Sequence, residues 1–74
     1  MNTKIATKAS QARIDQFYLH PSIGPIKYIG MDDGWLLFDT YANFGGNWVE
    51  NKNSLVLSER EFEGLGLKRC LAPA

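Results

Sequence analysis

The sequence has one cysteine, one histidine and no long apolar run in its 74 residues. The lone Cys70 excludes an internal disulfide, and the lone His20 leaves little for a metal site built on imidazole. A membrane-spanning helix needs about eighteen apolar residues, and a signal peptide needs a shorter apolar segment near the N-terminus. Because neither is present, we expect a cytoplasmic protein without membrane binding, metal or cofactor.

The chain also lacks a net charge at neutral pH, because eight basic residues balance eight acidic ones. A neutral chain has no general attraction for nucleic acid or anionic membranes. The charges are unevenly spread: residues 1 to 30 carry four basic and one acidic residue, and residues 31 to 63 carry seven acidic and two basic. We interpret this pattern as complementarity within one molecule.

The length predicts one small domain, over residues 12 to 74, after a flexible leader over residues 1 to 11. A domain of this size is only marginally stable without a disulfide or metal. The nine aromatic residues can compensate through a dense core, and self-association is the other route.

Residues 26 to 41, IKYIGMDDGWLLFDTY, predict a β-hairpin because two apolar runs flank an Asp-Asp-Gly turn. A three-residue loop, Asp32 to Gly34, is favoured because it pairs opposite charges and pairs two aromatic rings. The pairs expected from this register are Lys27 with Asp39, Tyr28 with Phe38, Ile29 with Leu37, and Met31 with Trp35. A two-residue Asp33-Gly34 turn is the alternative, and it shifts the register by one residue.

The two faces of this hairpin differ in charge. One face has only uncharged residues and is predicted to face the core: Ile26, Tyr28, Leu36 and Phe38. The other face combines charge with apolar groups and is predicted to face outward: Lys27, Ile29, Met31, Trp35, Leu37 and Asp39. A small domain that buries the first face leaves the second in need of a partner.

The remaining segments predict a mainly β fold. The alternation in RIDQFYLH predicts a first strand. After the hairpin we expect a loop, a short strand around Trp48 and Val49, and a turn at 51 to 53. SLVL (54 to 57) then forms a fourth strand. Ser58 and Glu61 have capping-box spacing, which predicts a helical turn over residues 59 to 63 that ends at Gly64. LKRCLA then supplies the last strand.

Five short antiparallel strands with a helical turn before the last one predict a small, strongly bent barrel. In architecture this arrangement resembles the Src-homology-3-like barrels. The resemblance is one of general shape and brings no ligand-binding residues with it.

Residue patterns for catalysis are absent from the sequence. Asp32 and Asp33 suit a tight turn, and no calcium-loop spacing surrounds them. Gly45-Gly46 lacks the lysine and helix of a phosphate-binding loop. Cys70, beside two basic residues in an alternating strand, is best explained as a small buried apolar group.

We therefore expect a non-enzymatic module that binds protein, either a second copy of itself in a dimer or tetramer or another chain. The expected contact residues are Ile29, Met31, Trp35 and Leu37, with Asp32, Asp33 and Asp39 at the rim.

Two alternatives remain open from the sequence. The first is a nucleic-acid-binding barrel in which aromatic stacking combines with the basic chain ends. Its expected residues are Lys27, Lys68, Arg69 and Trp48. The second is an enzyme whose site is assembled between subunits.

Overall fold

The computed structural model describes residues 8 to 73 and contains one five-stranded antiparallel sheet. Its elements are a 3-10 turn (Ala9–Gln11), β1 (Phe17–His20), β2 (Gly24–Asp32), β3 (Trp35–Phe44), β4 (Asn47–Ser58), α1 (Glu59–Leu65) and β5 (Lys68–Cys70). The strand order across the sheet is β4-β3-β2-β1-β5. The predicted mainly β class, the five strands and the helix before the last strand are confirmed.

The sheet is open rather than closed. β5 pairs with β1, so that β4 and β5 lie at opposite edges and do not pair with each other in the described part of the chain. The closed barrel expected from the sequence is therefore not shown.

The core lies on one face of the sheet, where α1 covers it. Phe62 of α1 is 1% exposed, and its ring centroid lies 5.5 Å from that of Tyr18 and 6.0 Å from that of Phe38. The predicted inward face of the hairpin is confirmed, because all four of its members are buried: Ile26, Tyr28, Leu36 and Phe38. We call this covered side the inner face and the opposite side the outer face.

Helix α1 begins at the predicted capping box. The Ser58 hydroxyl accepts the Glu61 amide at 3.0 Å, and the Glu61 carboxylate accepts the Ser58 amide at 2.9 Å. The helix continues past Gly64, where we predicted its end, because the left-handed cap is Gly66 (φ 59°). The two additional residues let Leu67, 2% exposed, enter the core beside Phe62.

One residue of the expected leader, before the predicted boundary at residue 12, packs in the core. Residues 1 to 7 of the expected leader lie outside the described residues. Ala9, within the leader, is 5% exposed and belongs to the core cluster, and its amide donates to Glu63 of α1 at 2.9 Å. Ala9 can pack beside the helix because its side chain is small.

The hairpin register combines parts of both predicted alternatives. Lys27 pairs with Asp39 and Tyr28 with Phe38, as expected. Nearer the turn the prediction is wrong: the observed pairs are Gly30 with Leu37, Met31 with Leu36, and Asp32 with Trp35. A bulge between Tyr28 and Gly30 inserts one residue, which permits the two-residue Asp33-Gly34 turn without losing the favourable pairs.

β4 is one irregular strand rather than the predicted short strand, turn and fourth strand. It pairs with β3 from Asn47 to Asn51 and again from Leu55 to Ser58, with a register shift between Phe38 and Thr40 on the β3 side. Asn53 has a left-handed backbone (φ 49°). The polar residues that predicted a turn thus form a bulge inside a continuous strand.

Gly30 and Gly64 provide a matched test of the bulge. An added Cβ meets no atom within 4 Å at either position, but Gly30 has φ 140° whereas Gly64 is helical. We expect Gly30→Ala to lower the free energy of unfolding by about 1 to 3 kcal/mol. Gly64→Ala should raise it by up to about 1 kcal/mol. Chemical denaturation of both variants checks this, and a Gly30→Ala variant as stable as the parent would contradict the positive-φ backbone at the bulge.

Candidate functional site

The outer face of the sheet has an exposed apolar surface at the hairpin end. Residues directly opposite in a sheet share a face, and Leu37 pairs with Gly30 on one side and with Val56 on the other. Trp35 and Val56 are each 48% exposed. Ile29, in the bulge, follows the inward-facing Tyr28 and lies on the outer side. We call these four residues, Ile29, Trp35, Leu37 and Val56, the outer patch.

Within residues 8 to 73, nothing covers the outer patch as α1 covers the inner face. The helix and the 3-10 turn both contribute side chains to the core on the inner side. Leu37 and Ile29 are half-buried by their strand neighbours, and Trp35 and Val56 project beyond them. The patch is therefore an exposed apolar surface formed by paired strands.

The structure separates Met31 from the other predicted contact residues. Because Met31 pairs with Leu36, it lies on the inner side, near the open end of the core, and is 44% exposed there. Asp32 pairs with Trp35 and is exposed beside the patch, and Asp33 is exposed in the turn with φ 51°. The two carboxylates give the hairpin end of the patch an acidic rim.

Asp39 serves the fold rather than the exposed rim. The residue is 4% exposed, and its Oδ1 accepts the Asn53 amide of the β4 bulge at 2.7 Å. Its Oδ2 lies 3.8 Å from Lys27 Nζ. Both carboxylate oxygens thus have partners within the chain, and Asp39 is not counted among the available contact residues.

Lys27 is the centre of a polar cluster next to the outer patch. Its Nζ lies 3.3 Å from Glu50 Oε2, and the same oxygen accepts the Tyr41 hydroxyl at 2.7 Å. The hydrogen bond to Glu50 raises the pKa of Lys27. The hydrogen bond from Tyr41, with the Lys27 ammonium, lowers the pKa of Glu50. Burial and the bond to Glu50 raise the pKa of Tyr41.

The residues of the alternative nucleic-acid surface do not lie together. Lys27 is held by two carboxylates, which reduces its attraction for phosphate. Lys68 pairs with Leu19 and Arg69 with Tyr18, which places the two on opposite faces of β5. Trp48 pairs with Asn43 near the end of the β3-β4 hairpin, several strands from β5.

The lone histidine and cysteine have structural surroundings. His20 Nδ1 accepts the amides of Ser22 and Ile23, at 3.0 and 3.2 Å, which closes the turn before β2. Cys70 is half-buried, and burial raises the pKa of its thiol, which disfavours the reactive thiolate. Residues 8 to 73 contain no cluster of three or more metal-ligating side chains, and none of their helices has the length and apolarity needed to cross a membrane.

Val56 is the patch residue that the sequence analysis missed. Alternation in SLVL places the side chain of Val56 on the opposite face from those of Leu55 and Leu57. Leu57 is expected on the core side because it directly precedes the helix cap. This pattern identifies Val56 as outward-facing. Its position beside Leu37 depends on the β4 register, which an irregular bulge sets and composition does not reveal.

The polar cluster predicts a defined pH dependence. Because the pKa of Glu50 is lower in the folded state, Glu50 stabilises the fold above its unfolded pKa, and this contribution is lost as pH falls through the folded pKa. We expect Glu50→Gln to be less stable than the parent near pH 7 and equally stable at strongly acidic pH. Denaturant unfolding across pH measures this.

Asp33→Asn is the control for this series, since Asp33 is exposed and forms no ion pair with any residue from 8 to 73. Its stability should follow the parent across the acid range. A constant difference between Glu50→Gln and the parent at every pH would contradict the ionic role of Glu50.

Comparison with known proteins finds no match: no protein-family model, no curated protein and no solved structure matches the chain.

Proposed function

We propose that this protein is a non-enzymatic binding module that associates with a second copy of itself through the outer patch. The observation that carries the proposal is the exposure of Trp35, 48%, on the outer face of the sheet beside Leu37 and Val56. Exposed tryptophan with aliphatic neighbours is the composition typical of the centre of a protein interface.

A second copy is favoured over a charged partner by the electrostatics of the face. The chain has no net charge, so two copies do not repel each other as a whole. On the side of the patch away from the turn, the nearest charges on β2 and β3, Lys27 and Asp39, are paired within the chain. The only unpaired charges beside the patch on these strands and their turn are the carboxylates of Asp32 and Asp33 at the turn end, so the rest of the surface is best matched by another apolar surface.

The acidic rim favours a two-fold, antiparallel arrangement. Asp32 and Asp33 lie at one end of the patch only, next to the hairpin turn. Two copies packed with their turns side by side would bring four carboxylates together, whereas a two-fold axis that runs across the strands places the two turns at opposite ends of the contact and separates them. A two-fold contact also uses the same residues on both copies, which is the usual form of a homodimer.

The proposal extends to the architecture and the location. The strand order with a helix before the last strand supports a relationship to the Src-homology-3-like barrels at the level of general shape. The single cysteine supports a cytoplasmic location, because disulfides are rare there. The nucleic-acid alternative is less well supported, because its expected residues are dispersed.

Trp35→Ala tests the proposal. Trp35 is half-exposed and outside the core cluster, so the variant should fold with a far smaller loss of stability than a core truncation such as Phe62→Ala, which costs about 3 to 5 kcal/mol. Its self-association, measured by sedimentation over a range of concentrations, should weaken at least about thirtyfold, as expected for an interface hot spot.

Phe44→Ala is the matched control, because Phe44 is an exposed aromatic (64%) that alternation places on the inner side of β3. It should associate like the parent. A parent protein that sediments as a monomer at every concentration would refute the self-association. A dimer disrupted by Phe44→Ala and unaffected by Trp35→Ala would refute the outer patch as its interface.

A further inference from the structure

Two basic segments from distant parts of the chain meet at a cleft on the opposite side of the molecule from the outer patch. The cleft is lined by Ser10, Gln11, Ala12, Arg13 and Arg69 and encloses about 560 Å³. Arg13 lies just before β1, and Arg69 lies in β5 directly opposite Tyr18 of β1. The pairing of β1 with β5 therefore brings together two arginines that are 56 positions apart in sequence (69 minus 13).

No acidic residue lines this cleft. Residues 8 to 13 and residues 66 to 73 together contain four basic residues and no acidic one. All the ion pairs among residues 8 to 73 belong to Lys27, so neither Arg13 nor Arg69 has a carboxylate partner there. Glu63, the carboxylate bonded to the neighbouring Ala9 amide, does not line the cleft.

Tyr18 lies near both arginines, because Arg69 is opposite it in the sheet and the Arg13 backbone forms a hydrogen bond with its hydroxyl. Burial raises the pKa of this hydroxyl, whereas the hydrogen bond from the Arg13 backbone and the positive charges of Arg69 and Arg13 act in the opposite direction. The two arginines also line the same cleft. Two like charges held at one site repel each other unless an anion lies between them.

We propose that this cleft binds a small organic phosphate through Arg13 and Arg69. The planar guanidinium fork donates two parallel hydrogen bonds to phosphate or carboxylate, and two such forks match a phosphate monoester, with its charge of about −1.5 to −2, better than a single carboxylate.

The rest of the lining suits the organic part of such a ligand. The volume falls within the range of about 300 to 1,000 Å³ that is usual for small-molecule sites. The side-chain oxygen of Gln11 accepts the Lys8 amide at 3.1 Å, which leaves its amide nitrogen as a donor. The Ser10 hydroxyl can donate or accept, so the cleft offers polar contacts to a ligand that carries hydroxyl groups.

Calorimetric titration of the full chain tests the proposal with three probes: ribose 5-phosphate, inorganic phosphate and ribose. Ribose 5-phosphate should bind, and ribose should not. Binding of inorganic phosphate as tight as that of the ester would support the arginine site with free phosphate as its source, and weaker binding would support the ester. No binding of either phosphate at several millimolar would overturn the proposal.

Variants locate the binding. Arg13→Gln and Arg69→Gln each remove an exposed side chain, so both should fold, and each should weaken ribose 5-phosphate binding at least about tenfold. Lys68→Gln is the matched control, because it removes the same charge from β5 on the opposite face and should change affinity by no more than about twofold.

Two outcomes of the variant series would count against a small-molecule site. An equal loss in Lys68→Gln and Arg69→Gln would show general electrostatic attraction rather than a site. A short single-stranded oligonucleotide that binds far more tightly than ribose 5-phosphate, through the same arginines, would replace the small phosphate with a nucleic-acid strand.

Discussion

The contact of Phe62 with the sheet is the interaction on which the rest of the structure depends. Its ring meets Tyr18 edge-on and stacks on Phe38, and these three rings join α1 to β1 and β3. A helix of seven residues is too short to be stable alone, so this contact holds the helix in place as well as covering the sheet. The single helix covers only the inner face of the sheet, and no helix covers the outer face in residues 8 to 73.

The outer face has two regions of different chemistry along its length, one polar and one apolar. In the middle, Lys27, Asp39 and Glu50 satisfy one another, and the Asn53 amide completes the group. Near the turn the face is apolar and exposed at Trp35 and Val56. The bulge at Ile29 lies between the two regions. It shifts the register by one residue, so that the pair of Lys27 with Asp39 and the two-residue turn can both form in the same hairpin.

The elements that could be predicted from the sequence are those with a local physical cause. The capping box depends on Ser58 and Glu61, which are three positions apart, and it is confirmed. The pairing of Lys27 with Asp39 depends on a single hairpin, and it is also confirmed. The bulges at Ile29 and Asn53 could not be predicted, because they reconcile competing pairings between strands. Strand alternation without the bulge predicts Met31 on the outer face, whereas its pairing with Leu36 puts it on the inner face. The Arg13–Arg69 cleft was missed too, since it requires β5 to pair with β1.

The two proposed surfaces lie on opposite sides of a thin molecule whose smallest extent is 19 Å. The outer patch is apolar and flanked by acids, whereas the cleft is polar and basic. Because they share no residue, a ligand in the cleft and a second copy on the patch can bind at the same time. The edge strands β4 and β5 belong one to each proposed surface, and three strands lie between them in the sheet.

Trp35 faces solvent in the single chain, and under the proposed self-association only a second chain covers it. NMR with a soluble paramagnetic agent measures this directly, as the relaxation enhancement of the Trp35 indole proton at increasing protein concentration. We expect strong enhancement in dilute solution and loss of it as the concentration rises, while Phe44 stays accessible throughout. Protection of Trp35 at the lowest concentration, or accessibility at every concentration, would contradict it.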